Sequence, residues 1–503
     1  MSPAASSRVV LRPDALRQAL IDPARRERHV VLALAAYTLL WTLYGTIAKG
    51  PQGLHPDMTE IIAWSRDLAW GYKHPPLAAA IAWLWFSIFP LAEWSYYLLA
   101  MLMPALTLWI VWRLSADYLD VEKRVAGLAL LMFVPFFNFH ALKFNVNTVL
   151  LPTWAATTFC FLRAYRTRSA LYAALAGLAA AASMLGKYWS IVLLAGLVLA
   201  ALFDRRRAAY FRSAAPWITV IVGLIALAPH LVWLSQHYAQ PFAYAMYIHG
   251  AKSFADVAVG ALGYLAGSLG YVAIPVLVVL IAARPSGATI TDMLWPADDE
   301  RRLVATAFWA PLLLPAVAAL ASGIEITSLW SMSAWTLLPV LLLSPPAVTI
   351  RDVDLRRILA AAAAIPVVML IASPAIAIIA QRNGPPPNSA QAALLAGEVE
   401  QLWHQTIPQP LRFVGGAGDL ADGVAAYAVE RPRVLTDMPA PDAAELRRDG
   451  MVIVCFAADA ACLAKAAAQA APVRRVETEI VRNFLRFPGR PQRYTILIVP
   501  PLP

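Results

Sequence analysis

The run Pro75-Pro76-Leu77-Ala78-Ala79-Ala80-Ile81-Ala82-Trp83-Leu84-Trp85-Phe86-Ser87-Ile88-Phe89-Pro90 decides how the rest of the chain is threaded. Its apolar part, Leu77 to Phe89, is about 13 residues long, whereas a helix needs about 20 to cross a bilayer. Prolines bracket it, and Trp83 and Trp85 suit the headgroup layer, so it is expected to lie along the interface. Charge parity supports this. If the run does not cross, six basic clusters share one side: Arg25, Arg26 and Arg28; Arg113, Lys123 and Arg124; Arg163, Arg166 and Arg168; Arg205 to Arg207; Arg301 and Arg302; and Arg351, Arg356 and Arg357. If it crossed, Arg205 to Arg207 would fall outside while the basic N-terminal arm stayed inside, against the positive-inside rule.

Working outward, 60% of the residues are hydrophobic and 14% are charged, and the mean hydropathy is +0.60. That excludes an ordinary soluble enzyme and a disordered chain. Apolar runs recur near 30–48, 93–114, 125–141, 148–165, 170–186, 188–203, 213–235, 257–282, 303–321, 332–345 and 358–380. The expected fold is a polytopic α-helical membrane protein with about eleven transmembrane helices. The net charge of +10 sits in short clusters between apolar runs, which favours the anionic membrane surface over nucleic acid as partner. No cleavable signal is evident, because the first apolar run follows a basic, proline-punctuated arm.

This threading divides the chain into a cytoplasmic arm (1–29), a transmembrane region (30–381, first outer loop 49–92) and an extracytoplasmic tail (382–503). The tail opens on Asn383-Gly384-Pro385-Pro386-Pro387, a linker signal. β-like runs at Leu411–Val414, Met451–Phe456 and Tyr494–Val499, with an Ala-rich helical stretch near 459–470, describe a small α/β domain. Cys160, inside an apolar run, reads as packing. Cys455 and Cys462 can pair in an oxidising compartment, or a strand-to-helix geometry can hold them apart; the sequence leaves both open.

Polar residues that packing does not explain gather on the outer side of this topology. They are Asp57, Glu60, Arg66, Lys73 and His74 in the first loop, Asn145 and Asn147, Lys187, and His249 and Lys252. A base at a helix end can simply snorkel, but four loops converging on one face are harder to explain that way. A carboxylate beside several cations suits a base that takes a hydroxyl proton while cations hold a phosphate leaving group. With an apolar bundle alongside, that suggests chemistry on a lipid phosphate. A lipid or glycan-precursor transporter would show repeated halves and broken helices at mid-bilayer, and no convincing repeat is visible. A non-catalytic scaffold with an envelope-binding tail is the third reading. No His-x-x-x-His or Cys-x-x-Cys spacing marks an outer-loop metal, and no P-loop or Gly-x-Gly-x-x-Gly marks a nucleotide, so no cofactor is predicted, a divalent metal staying open without support from spacing.

His55-Pro56-Asp57, Ala63-Trp64-Ser65-Arg66 and Gly71-Tyr72-Lys73-His74-Pro75-Pro76-Leu77 resemble the first outer loop of bacterial GT-C-class membrane glycosyltransferases. More narrowly they resemble the protein O-mannosyltransferase-like group, which includes the lipid A aminoarabinose transferases. Asn145-Val146-Asn147-Thr148-Val149-Leu150-Leu151-Pro152 and Leu185-Gly186-Lys187-Tyr188-Trp189 extend the resemblance, which covers roughly residues 30–280. It implies an inverting transfer of a sugar from a polyprenyl-phosphate carrier to an envelope lipid, glycan or protein, on the outer face of the bacterial inner membrane. It assigns Asp57 as catalytic base; Glu60, three residues on in the same loop, is a possible supporting acid that the family's pattern does not assign. The family's second acid is replaced by Met58, its loop-end lysine by His74 beside Lys73, and its phosphate-binding arginine by Lys252. Lys187, Lys252, Lys73 and His74 are thus the donor-phosphate candidates. Arg66, Tyr72, Asn145, Asn147, Tyr188 and His249 are the candidate groove residues.

Overall fold

A computed structural model describes residues 13–67, 73–237, 239–250, 253–383, 391–435, 442–469 and 474–502. The apolar runs named above are carried mainly by helix, although the run 125–141 is helical only to Met132 and again in a 3-10 turn at Pro135–Phe137. Arg26–Lys49, Glu93–Ser115, Ala215–His237, Phe254–Ala283, Asp299–Ser322 and Asp352–Asn383 are long and apolar enough to cross a membrane by length and composition. Val121–Met132, Val146–Thr167, Ala170–Gly186, Ile191–Phe203 and the helical turns of Ala334–Leu343 supply the other runs. Small residues allow close packing between these helices. A Cβ on Gly177 would lie 2.5 Å from the carbonyl oxygen of Thr219, so Ala170–Gly186 and Ala215–His237 cross nearly backbone to backbone.

The run Leu77–Phe89 folds as a helix from Leu77 to Ile88, and its two ends stay on one side of the bundle. At its start, Leu77 packs near Gly186 at the end of another helix. At its end, the Trp85 indole donates to the Ser95 hydroxyl (2.9 Å), in the first turn of Glu93–Ser115. Ala78, Ala79 and Ala82 are buried against the bundle, while Trp83 (47%) and Ile88 (69%) are exposed. The helix leaves and returns to the same face.

The tail forms a five-stranded sheet. Its strands are β1 (Phe413–Gly416), β2 (Arg433–Val434), β3 (Met451–Phe456), β4 (Arg474–Ile480) and β7 (Gln492–Val499), in the order β2-β1-β3-β7-β4. β5 (Asn483–Phe484) and β6 (Phe487–Pro488) form a separate hairpin. β1 pairs in parallel with β2 and β3, while β7 is antiparallel to β3 and β4. The three runs read from the sequence are the buried strands β1, β3 and β7. β1 turns into the helix Gly418–Tyr427 through Gly416, whose φ is +117° and whose added Cβ would lie 1.9 Å from the Val454 carbonyl oxygen. Only glycine fits there. Cys455 and Cys462 are joined in a disulfide with a Cα separation of 5.9 Å, because the Ala-rich helix starts close behind β3 at Ala460.

The tail docks at two points. Ala63 of the helix Pro56–Asp67 is buried in the domain's own core with Leu420 and Val424. The Gln381 amide donates to the carbonyl oxygens of Arg482 (2.7 Å) and Phe487 (2.9 Å), and Arg482 meets Glu93 at 3.6 Å. The arginine clusters gather on the opposite face, tied to acids. Arg17 meets Glu122 (2.8 Å) and Asp352 (2.6 Å), Arg163 meets Asp117 (2.6 Å), and Arg206 meets Asp204 (3.0 Å) and Glu300 (3.1 Å).

Candidate active site

The site is assembled from helix ends on the face that carries the tail. Pro56 opens the helix Pro56–Asp67, where a missing N–H costs nothing, and so Asp57 falls in the first turn. Asn145 caps the helix Val146–Thr167: its Oδ1 accepts from the backbone N–H of Asn147 (2.9 Å) and Thr148 (3.2 Å). That fixes the amide so that its Nδ2 donates to Asp57 Oδ2 at 3.1 Å. Lys143 Nζ reaches the same oxygen at 2.8 Å, and His55 Nδ1 lies 3.3 Å from Oδ1. Burial raises the Asp57 pKa, but His55 and Lys143 together outweigh it and hold the carboxyl well below the usual carboxylate range. Asp57 is a fixed anion at neutral pH.

Glu60, one turn along, has a different environment. It pairs with Lys73, and burial pushes its carboxyl up despite the opposing charge of Lys73. The Lys73 ammonium also lies 5.9 Å from the Trp64 ring and 5.5 Å from the Tyr244 ring. His74 sits beside Trp64 and Tyr244, each 6.3 Å away. Burial first, then the charges of Lys187 and Lys73, pulls its pKa down to about 3, so it is a neutral imidazole.

Lys187 ends the helix Ala170–Gly186. Its ammonium donates to Asn147 Oδ1 at 2.9 Å and lies 4.5 Å from the centre of the Trp330 ring. Burial lowers its pKa to about 8, against the opposing pull of Asp57. Among the described residues it bonds to no carboxylate. Trp330 also packs against Trp189 (4.6 Å) and His249 (4.9 Å), forming an aromatic wall around the cation. Burial and then Lys187 depress the His249 pKa. A cavity of about 210 Å³ adjoins Asp57, lined by Lys49, Gln52, His55, Met58, His140 and Lys143. A roomier cavity of about 330 Å³, among Phe161, Ala176, Leu197 and Leu224, is apolar and lies within the bundle.

The structure therefore brings together Asp57, Asn145, Asn147 and Lys187, with Glu60, Lys73, His74 and His249 around them. Tyr188 turns away: its hydroxyl bonds His230 Nε2 at 2.9 Å and its ring stacks 6.2 Å from Phe242. The side chain of Arg66, and Tyr72 and Lys252 altogether, lie outside the described residues. Among the described residues no three His, Cys, Asp or Glu side chains gather as a metal site. The roles of Lys143, His55, Tyr244 and Trp330 were not read from the sequence. Lys143, two residues before Asn145, carried the clearest signal, a base beside a cap on the same face.

A family model described as dolichyl-phosphate-mannose-protein mannosyltransferase matches residues 73–233. Among solved structures, the crystal structure of ArnT from Cupriavidus metallidurans bound to undecaprenyl phosphate is similar in fold. The TM-score is 0.62 at 14% identity, over 93% of this chain and 97% of that one. No curated protein matches the chain. The fold class and the resemblance to GT-C-class membrane glycosyltransferases are both borne out.

Proposed function

We propose that this chain moves a sugar from a polyprenyl-phosphate carrier to an envelope lipid, glycan or protein, with inversion at the anomeric carbon. The observation that carries the reading is an anionic carboxylate, Asp57, standing beside a buried cation, Lys187, that bonds to no carboxylate among the described residues. The acceptor hydroxyl attacks the anomeric carbon while the bond from that carbon to the phosphate oxygen breaks. The hydroxyl proton passes to Asp57, and the bonding pair leaves on the phosphate. A carboxylate held ionised by Lys143 is a weak base. It suffices because the hydroxyl becomes acidic only as its bond to carbon forms.

Lys187 and Lys73 are assigned the phosphate, with His74 as a neutral hydrogen-bond donor; Lys252 completes the set from the sequence. The growing charge on the leaving group is worth most where water is excluded. The reading gains support from the undecaprenyl phosphate bound to the similar ArnT structure. The Cys455–Cys462 disulfide suits an oxidising compartment, so the tail and the site are assigned to the outer face of a bacterial inner membrane.

The test uses the purified full chain. In detergent, it should consume a polyprenyl-phosphate-linked sugar and release polyprenyl phosphate. Transport of the intact carrier across liposomes without cleavage would replace this reading with the transporter one.

A further inference from the structure

The tail reaches the site through one helix. Gly418–Tyr427 packs along Pro56–Asp67, the helix that carries Asp57 and Glu60, and Leu420 and Val424 are buried with Ala63. Asp419 lies in its first turn, exposed, and among the described residues its carboxylate makes no hydrogen bond or ion pair. It nevertheless stands within electrostatic reach of Asp57, His55, Lys73 and Glu60. A second docking point, at Gln381, Arg482 and Glu93, also ties the domain to the bundle.

The bland account is that an acid in a first turn complements the helix dipole. That explains an acid at this position on the helix. It does not explain why this end of the helix, with an unpaired carboxylate, is the one brought to the catalytic base. Asp419 is within reach of Asp57 and His55 as well as of Lys73, so it borders the place where an acceptor must stand for its hydroxyl to meet Asp57. It also comes from the domain above the bundle, on the side away from the lipid chains. An unpaired carboxylate in such a place accepts hydrogen bonds in pairs from neighbouring hydroxyls.

We propose that Asp419 is a specificity-determining residue, which binds hydroxyl groups of a polyhydroxylated acceptor and thereby makes the tail one wall of the acceptor site. This rests on the glycosyl-transfer reading above.

The test compares an octyl glycoside with 1-octanol as acceptor probes, using the full chain and a polyprenyl-phosphate-linked sugar. Asp419→Asn should raise KM for the glycoside about tenfold, the size expected for charge-assisted hydrogen bonds. It should leave kcat, donor affinity and the KM for octanol unchanged. Equal shifts for both probes, or none, overturn the proposal. A second measurement needs no turnover: a cysteine introduced as Asp419→Cys should be shielded from a water-soluble maleimide by the glycoside and not by octanol. Absence of shielding overturns it as well. Failure of the wild-type chain to cleave the donor would count against the transfer reading, and the shielding experiment would still decide on Asp419.

Discussion

The two faces of the bundle use charge in opposite ways. On one, arginines are bound to acids: Arg206 to Asp204 and Glu300, Arg166 to Asp117 (3.1 Å) and Glu300 (3.4 Å), Arg301 to Asp292 (2.7 Å). On the other, lysines meet amides and aromatic rings as much as acids, and among the described residues Lys187 meets Asn147 and Trp330 but bonds no acid. A planar guanidinium that stays charged fastens helices well. An ammonium that bonds no acid keeps its charge for a ligand. The difference suits one face to cohesion and the other to the proposed reaction, and each of the following changes tests that division.

The largest effect should come from Asp57→Asn. The amide keeps the shape and can still meet Asn145, but it removes the base, so turnover should fall roughly 100-fold or more with donor binding little changed. Near-normal turnover in a well-folded variant would remove Asp57 from the chemistry. Next is Lys187→Met, which keeps the packing against Trp330 and deletes the charge. Donor affinity should drop by about tenfold or more, with folding nearly unaffected. Unchanged affinity would make Lys187 a snorkelling cation like any other.

A pH series sharpens the same contrast. The Lys187 pKa in the free protein is lowered to about 8, from 10.5 in an unperturbed lysine. The ammonium is therefore charged below that value and is lost as pH rises through it. Donor affinity measured by titration should be constant from about pH 6 to 7 and fall above 8. In Lys187→Met the fall should be absent. A wild-type profile flat to pH 9.5 would contradict the assignment.

Much of this was legible in the sequence, for identifiable reasons. A run of apolar residues that must satisfy its backbone internally has few choices besides a helix, so most of the apolar runs are found as helices, the run 125–141 being helical only as far as Met132 before a 3-10 turn at Pro135–Phe137. Leu77–Phe89 was readable because it is too short and because arginine parity depends on it. Asp57, Asn145, Asn147 and Lys187 come together because each lies at a helix end on the same face. What the sequence hid depends on tertiary contact. Lys143 is not among the residues singled out from the sequence, and its role shows only in the contact of its ammonium with Asp57. Trp330 has no charge to mark it, and Asp419 arrives from another domain. β4 escaped notice because Arg474, Arg475, Glu477 and Glu479 dominate an exposed edge strand, where the alternation that marks a strand is half polar.

On the fastening face, Asp204→Ala should separate cohesion from function. Asp204 is almost fully buried and receives Arg206 through both oxygens, and Arg206 continues to Glu300. Removing the acid leaves a guanidinium without its main partner at a helix junction, at a cost of about 1–3 kcal/mol in stability. A thermal-unfolding measurement in detergent should show the loss, while donor affinity and turnover at low temperature stay within twofold of wild type. If Asp204→Ala instead lowered donor affinity as much as Lys187→Met, the two faces would be coupled.

The smallest effect, and the one that orients the comparison, is chemical labelling at positions where a cysteine should change neither activity nor stability. Ala116→Cys is exposed on the arginine face, just past the helix Glu93–Ser115, and Ser87→Cys is exposed near the end of the interfacial helix on the lysine face. The native free cysteine, Cys160, is buried and should stay silent. In intact cells, a membrane-impermeant maleimide should modify Ser87→Cys at once and Ala116→Cys only after the membrane is opened. The excess of arginine on the Ala116 side predicts this order, because positive loops are retained in the cytoplasm. The reverse order would place Asp57 and the disulfide-bonded tail in the cytoplasm, where Cys455 and Cys462 would be reduced and an outer-face transfer would be impossible.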